Sequence, residues 1–462
     1  MSTICTALID SELQLEINSI TNSSSFDDVV GLAISVDLNN SSNRISTVSS
    51  TLDLPDLMLN LVSSGTIVYV DSIQTHFITD GRSWFGLDGR KFRQDIYSYE
   101  LWIWGGNGGG QLGIGNQSQR CSPVSCLSGG NLNWCKVEAG GSASAAIKTD
   151  GTLWTWGLNL QGKLGNGNTT HRSSPGTTAG GGTNWCTVSM GNINSAAIKT
   201  DGTLWTWGSN SLGQLGDGSG AERSSPGTTA GGGTNWKNIS IGSLDSIAFA
   251  AIKTDGTLWT WGGNESGQLA NETTTSRSSP GTTAGGGTNW CLVSAGGAFM
   301  SGIKTDGTLW TWGYNSLGKL GDGTTTSRSS PGTTAGGGTN WCMASSGPGH
   351  AVAIKTDGTL WTWGCNSCGR LGDGTNLPRS SPGTTVGGGT NWCWGIAADC
   401  HTAAIKTDGT LWTWGINEFS AGQLGNGSVG SYVCSPGTTA GGGTNWWRVA
   451  GGRYHTIALK RF

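Results

Sequence analysis

Polar and apolar positions alternate with period two along most of this chain, in short runs closed by glycine. The clearest run is Thr149-Asp150-Gly151-Thr152-Leu153-Trp154-Thr155-Trp156-Gly157, and the same string returns from Thr200, Thr254, Thr305, Thr356 and Thr407. Asp-Gly supplies the positive φ angles of a tight hairpin turn, and the flanking alternation is that of two strands. Trp154 and Trp156 then share one side of the outgoing strand, and Leu153 and Thr155 the other. The incoming strand, Ala145-Ala146-Ile147-Lys148, is apolar up to a lysine that can remain wet. A lone hairpin cannot bury two indoles, so each copy needs neighbours.

The Leu-x-x-x-Gly pentads begin at Leu101, Leu153, Leu204, Leu258, Leu309, Leu360 and Leu411. Seven units of near-constant period, each with a hairpin core, indicate a propeller or a solenoid. The two ends of the array decide between them. The first pentad, Leu101-Trp102-Ile103-Trp104-Gly105, has no Ala-Ile-Lys strand before it, whereas the last unit stops after Thr456-Ile457-Ala458-Leu459-Lys460. Each end supplies the half-unit the other lacks. The expectation is an all-β, closed seven-bladed β-propeller over residues 99–462, with Leu101, Trp102 and Trp104 closing the ring against Ile457 and Leu459. Closure leaves no sheet edge bare. Residues 1–98 follow no repeat and are expected to form a small mixed α/β region. Ile9 to Ile20 and Ser25 to Ile34 have the spacing and capping of short helices, Pro55 opens a turn, and residues 65–70 and 76–78 read as strands.

Composition adds a core material to this picture. Of 462 residues, 81 are glycine and 24 are tryptophan, and Trp-x-Trp and Asn-Trp pairs recur in each unit, so the indoles are architectural. Residues 1–98 carry five Lys+Arg against twelve Asp+Glu, and the remainder 21 against 17. That evenly spread charge is no nucleic-acid footprint. No run approaches the ~18 apolar residues of a membrane span, and Asp10 and Glu12 stand where a secretory signal needs an apolar core. Neither nucleic acid nor membrane insertion is expected.

Candidate chemistry is sparse. Cys135, Cys186, Cys291, Cys342 and Cys393 occupy one register in separate units and read as reduced structural thiols. Cys365-Asn366-Ser367-Cys368 has metal or redox spacing, but Cys400 and His401 sit in another register, so no metal and no cofactor is expected. Gly157 to Leu164 and Gly313 to Leu320 have phosphate-loop spacing, yet leucine stands where a hydroxyl must hold magnesium. No Ser/His/Asp set or carboxylate pair can be assembled from the sequence without the fold, and the chain is read as a non-enzyme.

The unit resembles the repeat of the regulator of chromosome condensation family. The resemblance is carried by His401 with Ala404-Ile405, Asp408-Gly409, Leu411, Trp414-Gly415-x-Asn417 and Gly422-Gln423-Leu424-Gly425, and by matching positions in the other units. It implies a seven-bladed propeller. The family histidine persists as His350, His401 and His455 and is replaced by Ala143, Asn194, Ala248 and Phe299 elsewhere. Nucleotide exchange on chromatin, the activity of the founding member, is not carried over, because a basic N-terminal tail and individuality between blades are missing. Around Trp84-Phe85-Gly86-Leu87-Asp88-Gly89 the N-terminal region resembles small β modules of bacteriophage tail-fibre and appendage proteins.

Identical segments build scaffold, so function should reside where the copies differ. Differences concentrate before Ala-Ile-Lys and after Trp-Gly, and the expected binding rim consists of Asp245, Phe249, Phe299, Met300, His350, His401, Phe419, Tyr432 and Tyr454. The expected function is that of a phage virion appendage whose propeller presents loops for attachment to a host surface receptor or other partner. Residues 1–98 would join it to other virion proteins and to further copies of itself, as a homo-oligomer. The alternative is a cytoplasmic propeller scaffold acting on a small GTPase; a glycan-directed hydrolase or lectin is a third class.

Overall fold

In the computed structural model the chain divides into two units, Met1–Ser98 and Tyr99–Phe462. The structure describes residues 99–461, apart from 127–129, 131, 231, 243–247, 285, 418–420, 431 and 441, together with the backbone of four N-terminal strands. Those strands, Ile45–Val48, Ile67–Val70, Thr75–Thr79 and Trp84–Gly86, form one sheet in chain order, the first pair parallel and the others antiparallel. The helices expected near residues 9–20 and 25–34, and the turn expected from Pro55, lie outside the described residues.

The second unit is a closed ring of seven four-stranded antiparallel sheets. Blades 1 to 6 run from Trp134–Gly140 to Arg172–Thr177, Trp185–Met190 to Arg223–Thr228, Trp236–Ile241 to Arg277–Thr282, Trp290–Ala295 to Arg328–Thr333, Trp341–Ser346 to Arg379–Thr384 and Trp392–Ala397 to Val433–Thr438. Blade 7 takes Trp446–Gly451 and His455–Arg461 from the end of the chain and Tyr99–Gly105 and Arg120–Ser125 from its first third. The closing pair is antiparallel over its whole length, with Leu459 opposite Leu101, Ala458 opposite Trp102, Ile457 opposite Ile103 and Thr456 opposite Trp104. Leu101, Trp104, Ile457 and Leu459 are fully buried there.

The hairpins form for the reason the sequence suggests. Each Asp-Gly turn places its glycine at φ between +76° and +79° in blades 1 to 6, and the aspartate accepts from the Thr two residues on, as Asp150 does from the Thr152 amide at 2.9 Å. A β-carbon on Gly151 would come within 2.1 Å of the Thr183 carbonyl, so glycine is required there on two grounds. Alternation then gives each sheet two unlike faces. The Ala-Ile-Leu face of blade 1 (Ala143, Ala145, Ile147, Leu153) packs on the indole face of blade 2 (Trp185, Val188, Trp207).

One hydrogen bond repeats at all seven joints. The second indole of each Trp-x-Trp pair donates to a loop carbonyl of the preceding blade: Trp156 to Gln111, Trp207 to Lys163, Trp261 to Gln214, Trp312 to Gln268, Trp363 to Lys319, Trp414 to Arg370 and, across the closure, Trp104 to Gln423, at 2.7–3.0 Å. The first indole is half-buried and carries a lysine, as with Lys148 Nζ 4.7 Å from the Trp154 ring centre. The tryptophans are therefore both the core and the fasteners between blades.

Candidate binding face

A four-stranded antiparallel meander puts the loop between its first and second strands at the same end as the loop between its third and fourth. Both segments in which the copies differ therefore lie on one face of the ring. Their adjacency is direct: Leu158 N donates to Ser142 O, Ser209 N to Ile193 O, Tyr314 N to Ala298 O, Cys365 N to Gly349 O and Ile416 N to Cys400 O, at 2.8–3.1 Å. The Asp-Gly turns and the Ala-Gly-Gly-Gly-Thr-Asn connectors meet on the opposite face, where Trp185 N bonds Gly151 O at 2.9 Å. One face is thus variable and the other nearly constant.

The third-to-fourth loop is built on an asparagine. Asn210 accepts from the Leu215 amide at 2.9 Å, while its amide nitrogen lies 3.0–3.2 Å from Asp217 Oδ1, Ser219 O and Oγ, and Ala221 O. Asn159, Asn264, Asn315 and Asn366 repeat this arrangement. Loop shape is held constant from inside, which leaves the outward positions open to change.

Several expected rim residues are not on the rim. Phe249, Phe299, Met300, His350 and His401 are all buried. The correction has one physical cause: the second strand begins at Ala248, Phe299, His350 and His401, so these side chains belong to the first residues of a strand and point into the joints. Phe249 packs on Trp261 with ring centres 5.5 Å apart, and Met300 shares a core with Trp312. Asp245 and Phe419 lie outside the described residues. Tyr432 is exposed, and Tyr454 is half-buried with the Arg453 guanidinium 5.1 Å from its ring centre.

The register histidines support the joints. His350 Nε2 lies 2.7 Å from Thr402 Oγ1, His401 Nε2 2.9 Å from Thr456 Oγ1, and His455 Nε2 2.9 Å from Ser144 Oγ, each across to the next blade. Those hydroxyls donate to the carbonyls of Arg370, Gln423 and Gln111, so the imidazole must supply the proton through Nε2. Burial holds all three rings neutral: it lowers His350 well below the ordinary histidine value, and His401 and His455 to about 3, with Arg370 adding to the effect on His401 and the His401 and Lys163 groups to that on His455.

The face itself was only partly visible in the sequence. Its exposed apolar side chains include Leu160, Tyr314, Leu317, Leu377, Val429 and Tyr432, all in third-to-fourth loops. Lys163 is buried beneath it and donates to Gly140 O and, across the joint, to Asn192 O at 2.8 Å; burial lowers its ammonium to about 7. Arg370 likewise reaches Asp399 O of the next blade at 2.9 Å, and Arg453 pairs with Asp399 at 3.4 Å. At the axis, Lys136 donates to Thr187 Oγ1 at 3.0 Å, and burial pushes the neighbouring Glu138 carboxyl up to about 8, against the opposing charge of Lys136. Among the described residues no group of histidine, cysteine and carboxylate side chains could hold a metal ion, and no helix there is long and apolar enough to cross a membrane.

A repeat-built closed ring with a constant face and a variable face defines a β-propeller of the binding or scaffold class. The repeat described as Regulator of chromosome condensation (RCC1) repeat matches residues 100–147, 150–198, 201–248, 255–301 and 306–354, and a second form of it matches 134–163, 185–214 and 344–370. The chain belongs to the regulator of chromosome condensation repeat family. It is 30% identical over 308 residues to the Ultraviolet-B receptor UVR8 of Arabidopsis thaliana, covering 65% of this chain and 68% of that protein. It is 28% identical over 303 residues to the E3 ubiquitin-protein ligase HERC2 of Homo sapiens, covering 61% of this chain but 6% of that one. The crystal structure of Prp20p from Saccharomyces cerevisiae, described with its binding to Gsp1p and histones, shares the fold at a TM-score of 0.69 and 16% identity, over 80% of this chain and 92% of that one.

Proposed function

We propose that this chain is a non-enzymatic attachment protein, an appendage of a phage virion of the tail-fibre kind. Residues 1–98 would join it to other virion proteins, and the variable face would meet a host surface receptor. The supporting observation is the polarity of the ring. Tyr99, where the chain enters the propeller, begins a third strand and so stands at the constant face, while the differences between copies gather on the other. Near-verbatim walls with divergent loops suit a surface that changes its target without changing its frame. Mass spectrometry of purified particles tests this reading. The expected result is stoichiometric recovery of the chain with the particle; its absence from particles of a producing culture overturns the proposal.

The second reading is a cytoplasmic scaffold acting on a small GTPase, favoured by the family and by the partners described for Prp20p. Its measurement is release of a fluorescent guanine nucleotide from a small GTPase of the producing cell. Acceleration by catalytic amounts of the propeller would replace the attachment reading; an unchanged release rate agrees with it.

A further inference from the structure

Blade 5 departs from its sisters in the loop after its third strand, where Cys365 and Cys368 flank Asn366-Ser367. The positions of Cys365 and Cys368 are filled by Ser209 and Leu212 in blade 2 and by Gly263 and Ser266 in blade 3. The turn closes through Gly369 N to Asn366 O at 2.9 Å, and both sulfurs sit beside one hydroxyl: Ser367 Oγ is 3.5 Å from Cys365 Sγ and 3.8 Å from Cys368 Sγ. Both cysteines reach solvent.

Arg370, which follows them in the turn, is only 7% exposed. Arg370 Nη2 lies 3.7 Å from Cys368 Sγ and 3.4 Å from Ser367 Oγ, while Nη1 is anchored on Asp399 O of blade 6 and Nε is buried without a hydrogen-bond partner. A buried cation with donor capacity to spare, held against one end of a Cys-x-x-Cys turn, is the kind of electropositive setting in which such pairs become reactive. Cys400 belongs to a different register of the repeat, yet the fold brings the loop of blade 6 that carries it against Arg370 through the Asp399 carbonyl.

We propose that Cys365 and Cys368 form a reactive dithiol on the variable face, oxidised by small-molecule disulfides to an intrachain bond. The Cys365 thiolate attacks one sulfur of the disulfide, that S–S bond breaks, and the first thiolate leaves and takes a proton. Cys368 gives up its proton and attacks the Cys365 sulfur of the mixed disulfide; the Cys365–Cys368 bond forms and the second thiol departs. Two electrons pass from the chain to the reagent and two protons end on its thiols. The contrast with neighbouring thiols fits this assignment. Burial opposes ionisation of Cys365, but the Ser367 hydrogen bonds and the charges of Arg370 and Lys319 carry it below the ordinary thiol value, whereas burial and then Asp399 push Cys400 up to about 11. Cys186, Cys291 and Cys342 are also raised, chiefly by burial.

The test uses the full chain and 5,5′-dithiobis(2-nitrobenzoic acid), and stands apart from the attachment proposal. Wild type should show a fast phase releasing two equivalents of chromophore at about ten-fold the rate of the remaining thiols, and a product lighter by two hydrogens. C368S should stop at one equivalent with an adduct on Cys365, and C365S should lose the fast phase. Sister blades carry serine at both positions, so folding is expected to survive and is checked by thermal melting. Arg370→Gln should slow the fast phase several-fold. A fast phase that persists in C365S, a stable adduct on wild type, or a peptide map joining Cys365 to Cys400 or Cys434 would overturn the proposal. Tight retention of zinc that abolishes the fast phase would also overturn it, in favour of a metal site.

Discussion

At the scale of single residues, the ring depends on a few buried polar groups repeated at each joint. Trp207→Phe keeps an aromatic ring in place but removes the donor to Lys163 O and leaves a void beside Gly165. A loss of about 2 kcal/mol is expected in denaturant unfolding, with little change at the variable face. The histidines give a sharper signature. Their folded values lie below the ordinary 6.5, near 3 for His401 and His455, so below pH 6.5 the unfolded chain binds protons that the folded one refuses. Stability present above 6.5 is therefore lost as the pH falls from 6.5 towards 3, and by pH 5 that pair should cost about 4 kcal/mol. Urea midpoints between pH 7.5 and 5 measure this. His401→Asn, which adopts the residue blade 2 uses as Asn194, should flatten the profile.

Legibility in the sequence also differs by residue. Trp154, Trp156 and Ile147 could be assigned to faces because strand alternation is local. Phe249, Met300 and His350 could not, because a residue at the first or second position of a strand is rim or core according to where pairing begins. Their partners for that pairing come from a separate strand and, for packing, from a separate blade. The cluster of Cys365, Cys368 and Arg370 shows the same limit, since its anchor at Asp399 belongs to the next unit.

At the scale of elements, the third-to-fourth loop is the most informative. Asn210→Ala removes the acceptor for the Leu215 amide and the donor to the Ser219 and Ala221 carbonyls. Loss of these buried bonds should cost about 3 kcal/mol, and hydrogen exchange should rise in residues 209–222 before it does in the strands of blade 2. An Asn at the register of Asn210 in all seven blades was visible in the sequence, but its role as the centre of a ring of oxygens was not, because half of its acceptors are main-chain carbonyls that carry no residue signature. That the two variable segments meet on one face does follow from the meander alone, once four strands per unit are accepted.

At the scale of the whole molecule, the closing pair holds the circle by main-chain bonds and two fully buried contacts of the same kind found inside the array. Removing residues 455–462 should abolish the cooperative melt and expose Trp104, read by a red shift in tryptophan emission and by association in size-exclusion chromatography. A permuted chain in which residue 461 is joined to residue 99 and new ends are opened at Leu160 should melt as one unit, because every blade would keep four strands. Ring closure was legible because each half-unit lacked what the other possessed, and the absence of a repeat in residues 1–98 marked where the array starts.

Tyr99 stands opposite Arg461, so the chain enters and finishes the propeller side by side on the constant face. A fluorophore, an affinity tag or a second protein grafted behind Arg461 would emerge next to the entry point, on the face opposite the divergent loops. The end of the last strand is thus the natural handle for immobilising this ring with its divergent loops turned outward, and a chip prepared in that way would display them to a library of candidate ligands at once.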